Sequence, residues 1–408
     1  MKFALVMPKS TFLEYPMVMQ PLGLFYLASR LESLGHKVDF FDLNIDTFPE
    51  DVYDEIWVSA TSPQMGEIKK IGGILREYKA RSVLGGASVW ANPSSCFDLG
   101  YSTVVGGEAD SPNGIKQILE SRNSYEFIPV EKGLDWVLPP VRRWSHKYKA
   151  RLNDAPATTM FTSRGCPMTC SFCESGRLGV IWSDKVRHEP LDIVEYQIKE
   201  SKELGFGALL YYDDILPLNK SRTLEIMKLH RKYDMIWRCF LRSDIIERHG
   251  GYDYLKELRD GGLVEIFLGI ESASNEIKNN IHKRTTIEQD TLVIEWCRKL
   301  GIRSKASFIL GLPGESHQSM RSTRMWILAN RPDRVQVGRL IPFSGTPLTK
   351  HPEDYDLVYE QLPSDDWFYM GKNEFNHSFT STSHVSVDEI DEFWHKLNLE
   401  LEELGIPK

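Results

Sequence analysis

Cysteine is scarce in this chain, with six in 408 residues. So few thiols cannot frame a disulfide-stapled fold, and sparse thiols fit a reducing compartment. No run of residues approaches the ~20 apolar positions of a membrane span, which excludes a helical membrane protein. The N-terminal MKFALVMPKS has only five apolar residues between Lys2 and Pro8, too few for a secretory signal, so a cytoplasmic location is expected. No Gly-x-Gly-x-x-Gly follows the first strand candidate, which disfavours a dinucleotide site. A basic excess is missing too, since the net charge is −8. The last 58 residues hold fourteen acidic residues against three lysines, a local charge of −11 that leaves the remainder at +3. Nucleic acid is therefore not an expected partner. With 41% apolar and 26% charged residues, the chain is an ordinary soluble composition of two to three domains.

What is present is an α/β alternation. Residues 1–125 read as five short strands, Lys2–Met7, Lys37–Phe41, Glu55–Ala60, Ser82–Leu84 and Ser102–Val105, separated by helical patterns. This is a Rossmann-like, flavodoxin-like parallel sheet, which binds ligands at the carboxyl ends of its strands. The strand-end loops carry Ser59 and Thr61, then Gly85-Gly86, then Gly107-Glu108. Paired glycines allow a ligand close to the backbone, but tight turns use them equally well. Residues 126–156 are proline-rich and read as a linker, with Arg142-Arg143-Trp144-Ser145-His146-Lys147 as a solvated basic stretch. From residue 157 to 348 a βα unit recurs six times, which argues for a partial (β/α)6 barrel with functional groups on the loops after the strands. Residues 349–408 form a C-terminal acidic extension, helical over Asp388–Leu404 with a solvated acidic face.

The chemistry-bearing element is Ser163-Arg164-Gly165-Cys166-Pro167-Met168-Thr169-Cys170-Ser171-Phe172-Cys173, directly after the first barrel strand. Three thiolates spaced C-x3-C-x2-C can hold three irons of a cubane cluster and leave the fourth iron open. A structural zinc takes four protein ligands, and no fourth cysteine or histidine lies close by in sequence. Cys96, Cys239 and Cys297 stand alone in apolar surroundings and read as small core residues.

This cysteine spacing, with the aromatic Phe172 before the last cysteine and a six-unit barrel behind it, resembles the radical S-adenosylmethionine (SAM) superfamily. The resemblance implies a [4Fe-4S] cluster on Cys166, Cys170 and Cys173, SAM on the open iron, and cleavage to a 5′-deoxyadenosyl radical. It implies that Asp213 and Asp214 after the second strand contact the methionine ammonium group, and that Arg242 and Glu271 reach its carboxylate or ribose. The acidic pair could instead cap a helix, and Arg242 and Glu271 could form a structural ion pair. Gly311-Leu312-Pro313-Gly314-Glu315 resembles a segment beside adenine, and Ile341-Pro342-Phe343-Ser344-Gly345-Thr346-Pro347 resembles another family element, so Gly311 and Pro342 join the implied SAM contacts.

The first domain is similar to the cobalamin-binding domain of one large class of these enzymes. That likeness implies a corrin at Ser59, Thr61, Gly85, Gly86, Gly107 and Glu108. The Asp-x-His-x-x-Gly element that supplies a lower ligand is absent, and the dozen residues after Asp42 are too few for a crossover helix. The implied activity is a cobalamin-dependent methyltransferase acting at an unactivated carbon of a small-molecule substrate, reduced by a flavodoxin or ferredoxin. A radical cyclase, oxidase or rearrangement enzyme whose first domain binds substrate is the alternative, and a degenerate binding scaffold is another. A tRNA methylthiotransferase would hold three further cysteines in the first domain, where only Cys96 occurs. Tyr211, Trp237, Phe343, Trp367 and Phe368 are candidates to line a substrate pocket, with core packing as the competing reading.

Overall fold

The computed structural model describes residues 1–11, 13, 15–175, 185–359 and 378–407. Two parallel sheets follow one another along the chain. The first contains β1 (Lys2–Met7), β2 (Lys37–Asp42), β3 (Glu55–Ser59), β4 (Arg81–Gly85), β5 (Thr103–Gly107) and β6 (Tyr125–Ile128), in the order β2-β1-β3-β4-β5-β6. The expected five strands are thus six. β6 alternates half-buried, buried, exposed, buried, the weak amphipathic signature of an edge strand, and so escapes a search for apolar runs. Helix Leu22–Ser33 buries Leu24, Phe25, Ala28 and Leu31 at helical spacing against this sheet. Between β2 and β3 there is no helix, as the dozen intervening residues require.

Residues beyond β6 do not form a free linker. Val137 and Tyr148 are buried in the first domain's core, with Trp136 and Trp144 packed against it. The basic stretch is not a solvated face either: Arg142 is 2% exposed. Its guanidinium donates to Thr158 Oγ1 at 3.1 Å, to the Thr159 carbonyl and to Gln197 Oε1 at 3.2 Å, so it ties this segment to the barrel.

The second sheet contains β7 (Arg151–Leu152) and β8 (Ala155–Met160). After a two-stranded ladder of β9 (Ser163–Arg164) and β10 (Arg187–His188), it continues with β11 (Ala208–Tyr211), β12 (Ile236–Leu241), β13 (Leu263–Glu271), β14 (Arg303–Leu310) and β15 (Arg334–Arg339). Its order is β15-β14-β13-β12-β11-β8-β7, with β8 and β11 to β15 parallel and β7 antiparallel. One face packs against the helices through Trp237, Ile266, Leu268, Ala306 and Phe308. The six expected barrel strands are present, curled into a half-barrel.

The C-terminal segment belongs to the barrel. Helix Val387–Glu403, opened by a Ser386–Glu389 capping box, buries Ile390, Leu397 and Leu401 in the barrel core. Its acidic face is partly paired, through Asp391 to Arg339 at 2.8 Å and Glu400 to Arg324.

The two domains meet across buried polar groups. Glu189 is fully buried and accepts from Tyr26 Oη and Gln197 Nε2, each at 2.7 Å. Burial pushes its carboxyl up to about 7, against the lowering effect of Arg164. The folded chain therefore keeps this proton where the unfolded carboxyl, near 4.5, has lost it. Stability from this group is complete below the unfolded value and is lost as pH rises through about 7. Glu189→Gln is expected to remove up to about 3 kcal/mol of this pH-dependent destabilisation in urea unfolding followed from acid to neutral pH. An unchanged slope would assign the proton to another group.

Candidate active site

The cysteine loop leaves the end of β8 and is fixed from three directions. Asp213, just after β11, is fully buried and accepts from the Thr162 amide at 3.0 Å and Thr162 Oγ1 at 2.8 Å, and from Ser163 Oγ. Within the loop, the Ser171 amide donates to the Ile281 carbonyl at 3.0 Å, and the Leu348 amide donates to the Ser171 carbonyl at 3.3 Å. The third anchor comes from the first domain. The β9–β10 ladder sets Arg164 opposite Arg187, two like charges that would repel if left alone. Both converge on Glu108: Arg164 Nη1 donates to it at 2.8 Å, and Arg187 at 2.8 and 3.0 Å. Arg164 also donates to Asp110 at 3.0 and 2.7 Å. Burial opposes the charge on Arg164, but Asp110 and Glu108 outweigh it and hold the guanidinium above its ordinary value.

With the loop so held, Cys166, Cys170 and Cys173 line one cavity of about 310 Å³, together with Phe172, Asp214, Arg242, Glu271 and Lys283. Burial pushes the Cys166 thiol up to about 11 and the Cys173 thiol up to about 12. Such buried sulfurs need a positive partner to ionise, and iron supplies one. Among the described residues no three His, Cys, Asp or Glu side chains are placed to hold a single metal ion.

Arg242 approaches the loop directly, with Nη1 3.5 Å from Cys170 Sγ and Nε 3.0 Å from Asp244 Oδ1. Glu271 ends β13 with a φ of 67° and pairs with Lys283 Nζ at 2.6 Å. Each of the two therefore has an ionic partner of its own, and they do not pair with each other. Asp214 faces the cavity, and burial lifts its carboxyl to about 6. Asp213 borders the same cavity, but its carboxylate is spent on the loop. Gly311 and Pro342 lie outside the cavity lining. The Gly311 carbonyl accepts from Thr380 Oγ1 at 3.2 Å, so it meets the C-terminal segment, and Pro342 is buried.

In the first domain Ser59, Gly85, Gly86 and Gly107 sit at the strand ends, and Gly86 and Gly107 answer to packing, whereas a Cβ on Gly85 would meet nothing nearer than 3.6 Å. A Cβ on Gly107, at φ 106°, would lie 2.0 Å from the Ile128 carbonyl oxygen. One on Gly86 would lie 2.3 Å from that of Ala60. Thr61 serves a capping box with Gln64. Glu108 is committed to Arg164 and Arg187. What fits a cofactor shared by both domains is the position: the carboxyl end of the first sheet abuts the cysteine loop through Glu108 and Arg164.

The aromatic candidates divide. Tyr211 and Trp237 are core residues stacked with His230, Trp367 and Phe368 lie outside the described residues, and Phe343 is half-buried away from the cavity. Tyr212, Phe240 and Phe267 line it instead. Lys283 escaped the sequence reading, because nothing in the stretch around it signals a partner twelve residues earlier.

Residues 160–327 match the radical SAM superfamily. The chain carries a radical SAM domain. It is an enzyme, and radical SAM methyltransferase-like beyond that domain. An uncharacterized methyltransferase of Pyrococcus horikoshii is 25% identical over 376 residues, covering 81% of this chain and 78% of that one. The anaerobic magnesium-protoporphyrin IX monomethyl ester cyclase of Cereibacter sphaeroides is 28% identical over 202 residues, or 48% of this chain and 32% of the cyclase. Among solved structures, the radical SAM methyltransferase TsrM of Kitasatospora setae, with cobalamin and a [4Fe-4S] cluster bound, superposes with a TM-score of 0.68 at 18% identity. That superposition covers 85% of this chain and 76% of TsrM, and it establishes the shared fold. No helix among the described residues is long and apolar enough to cross a membrane.

Removing one partner of a buried ion pair costs about 3 to 5 kcal/mol. Glu108→Gln is expected to lower the stability of the radical SAM chain by that order in denaturant titration and to reduce the iron retained after reconstitution. Wild-type iron content in a destabilised variant would separate the ion cluster from the cysteine loop.

Proposed function

We propose that this chain is a cobalamin-dependent radical SAM methyltransferase, acting in the cytoplasm at an unactivated carbon of a small-molecule or natural-product-like substrate. The observation that carries this reading is the convergence of the three cysteines with Phe172, Asp214, Arg242 and Glu271 on one cavity at the strand ends of the half-barrel. Cys166, Cys170 and Cys173 would each hold one iron of the [4Fe-4S] cluster and leave the fourth for SAM. Bound together, cluster, SAM and cobalamin supply reductive carbon–sulfur cleavage and a transferable methyl group.

The chain's own residues bind and orient. The Asp214 carboxyl, lifted by burial, ionises most readily beside a cation, which suits it to an ammonium group. Arg242 holds a positive charge against the Cys170 sulfur, 3.5 Å away. Lys283 fixes Glu271 at the cavity wall, and Phe172 lines the same cavity. Ser59, Thr61, Gly85, Gly86 and Gly107 mark the first domain's strand-end edge, where a corrin would bridge to the cysteine loop. A flavodoxin or ferredoxin would deliver the electron.

Anaerobic reconstitution with iron, sulfide and cobalamin tests the two halves separately. The wild type is expected to form 5′-deoxyadenosine and to bind corrin with a shifted visible spectrum, while Cys170→Ala should form none. Deoxyadenosine from Cys170→Ala would mean the cluster has been misassigned. Cleavage without corrin binding would instead favour a radical cyclase, oxidase or rearrangement enzyme, the reading toward which the likeness to the magnesium-protoporphyrin cyclase points.

A further inference from the structure

The inner face of the half-barrel is stacked in layers set by strand register. Tyr212 is in ring contact with Phe161 at 6.5 Å and with Phe240 at 5.8 Å, and Phe240 with Phe267 at 5.0 Å. Phe240 is in register with Phe267, Phe267 with Lys305, and Lys305 with Arg334. One layer thus runs from aromatic rings on four adjacent strand positions to two cations on β14 and β15. Along β14 the residues of this face are half-buried while those between them are buried, so the lumen is open. Tyr212, Phe240 and Phe267 border the cavity that the cysteines line.

The charges facing this layer are unbalanced. In the layer above, Glu271 is neutralised by Lys283, and Asp214 stands across the cavity near the cysteines. In the layer below, Glu265 is shared between Arg238 at 3.6 Å and Arg303 at 3.0 Å. Lys305 Nζ lies 5.1 Å from the centroid of the Phe267 ring, and Arg334 beside it is exposed at the start of β15. Among the described residues neither Lys305 nor Arg334 has an ion-pair partner. Burial, and then Arg238 and Arg334, pull the Lys305 ammonium below its ordinary value against the raising effect of Glu265 in the layer below.

We infer that Lys305 and Arg334 bind an oxyanion, a carboxylate or a phosphate, at one end of a substrate whose apolar or aromatic body lies over Tyr212, Phe240 and Phe267. Rings supply apolar area and stacking, and paired cations supply charge-assisted hydrogen bonds that fix the molecule's direction beneath the cysteine loop. The inference rests on the proposed function in taking this cavity as the reaction chamber.

Equilibrium dialysis of the reconstituted protein with naphthyl phosphate, naphthoate and naphthol tests it. At least one anion is expected to bind about tenfold or more tighter than naphthol, and which one does so distinguishes phosphate from carboxylate. The Lys305→Met/Arg334→Met double variant should lose this preference while still binding naphthol, and Lys305→Arg should keep it. Naphthol binding as tightly as both anions, or an anion preference that survives in the double variant, would overturn the inference. SAM cleavage measured in parallel separates the two readings. A protein that prefers the anion but never cleaves SAM defeats the radical assignment alone. One that cleaves SAM without preferring either anion defeats the oxyanion site alone.

Discussion

The junction between Glu108 and the two arginines Arg164 and Arg187 is the constraint on which the site depends. Three carboxylate–guanidinium contacts within 3.0 Å are buried where the end of β5 meets the β9–β10 ladder. Arg164 stands two residues before Cys166, so the first domain's position and the cysteine loop's position are one variable. Burying two cations side by side is unfavourable by several kcal/mol each without compensation. Glu108 and Asp110 provide it from the first domain, and the loop is therefore held in this shape only when the two sheets are docked. Asp213 does the same from within the barrel, gathering the Thr162 amide and two hydroxyls at the end of β8. The loop is thus clamped by two carboxylates, Glu108 from the first domain and Asp213 from the barrel.

That division of labour accounts for the placement of the remaining acids and bases. Consecutive aspartates after β11 have separate work, since the strand's alternation turns one toward the loop backbone and the other toward the cavity. Burial lifts both carboxyls, and both border the cavity, but Asp213 is held by the loop's amide and hydroxyls. Arg242 and Lys283, both buried, bring positive charge to the cysteine side, and Asp244 and Glu271 balance them. A cavity wall made of fixed ion pairs is preorganised, so little reorientation is needed when a charged ligand enters.

The cysteine triad was legible because its spacing lies within eight residues of sequence, and the two parallel sheets were legible from the βα alternation. Glu108 was legible as a strand-end residue but its role was not. Its partners lie 56 and 79 residues away, and no local pattern announces a pairing of that separation. Gly107 and Gly86 stay ambiguous in sequence for a related reason. A glycine required by a neighbouring carbonyl looks, in sequence, like one required by a ligand. Tyr211 and Tyr212 show the limit most plainly, since adjacent tyrosines go to opposite faces, one into the core and one into the cavity. Only the register of β11 against β12 decides which.

The same period of two explains why the acidic C-terminal segment does not quench the cations of the lumen. β15 is an edge strand, and an exposed edge invites unwanted pairing. The C-terminal segment covers it: the Val335 amide donates to the Pro407 carbonyl at 2.9 Å, and Trp394 Nε1 donates to the Val337 carbonyl at 2.7 Å. The segment packs on the helix-facing side, where Val335, Val337 and Arg339 point. Asp391 therefore reaches Arg339, and Trp394 stacks on the same guanidinium at 4.3 Å. Arg334 is one residue out of step with that series and belongs with Lys305 on the inner face. The strand's pleat thus places the sheet between Lys305 and the acids of helix Val387–Glu403, and leaves Glu265 as the acid that acts on it from its own face, with Arg334 exposed at the start of β15.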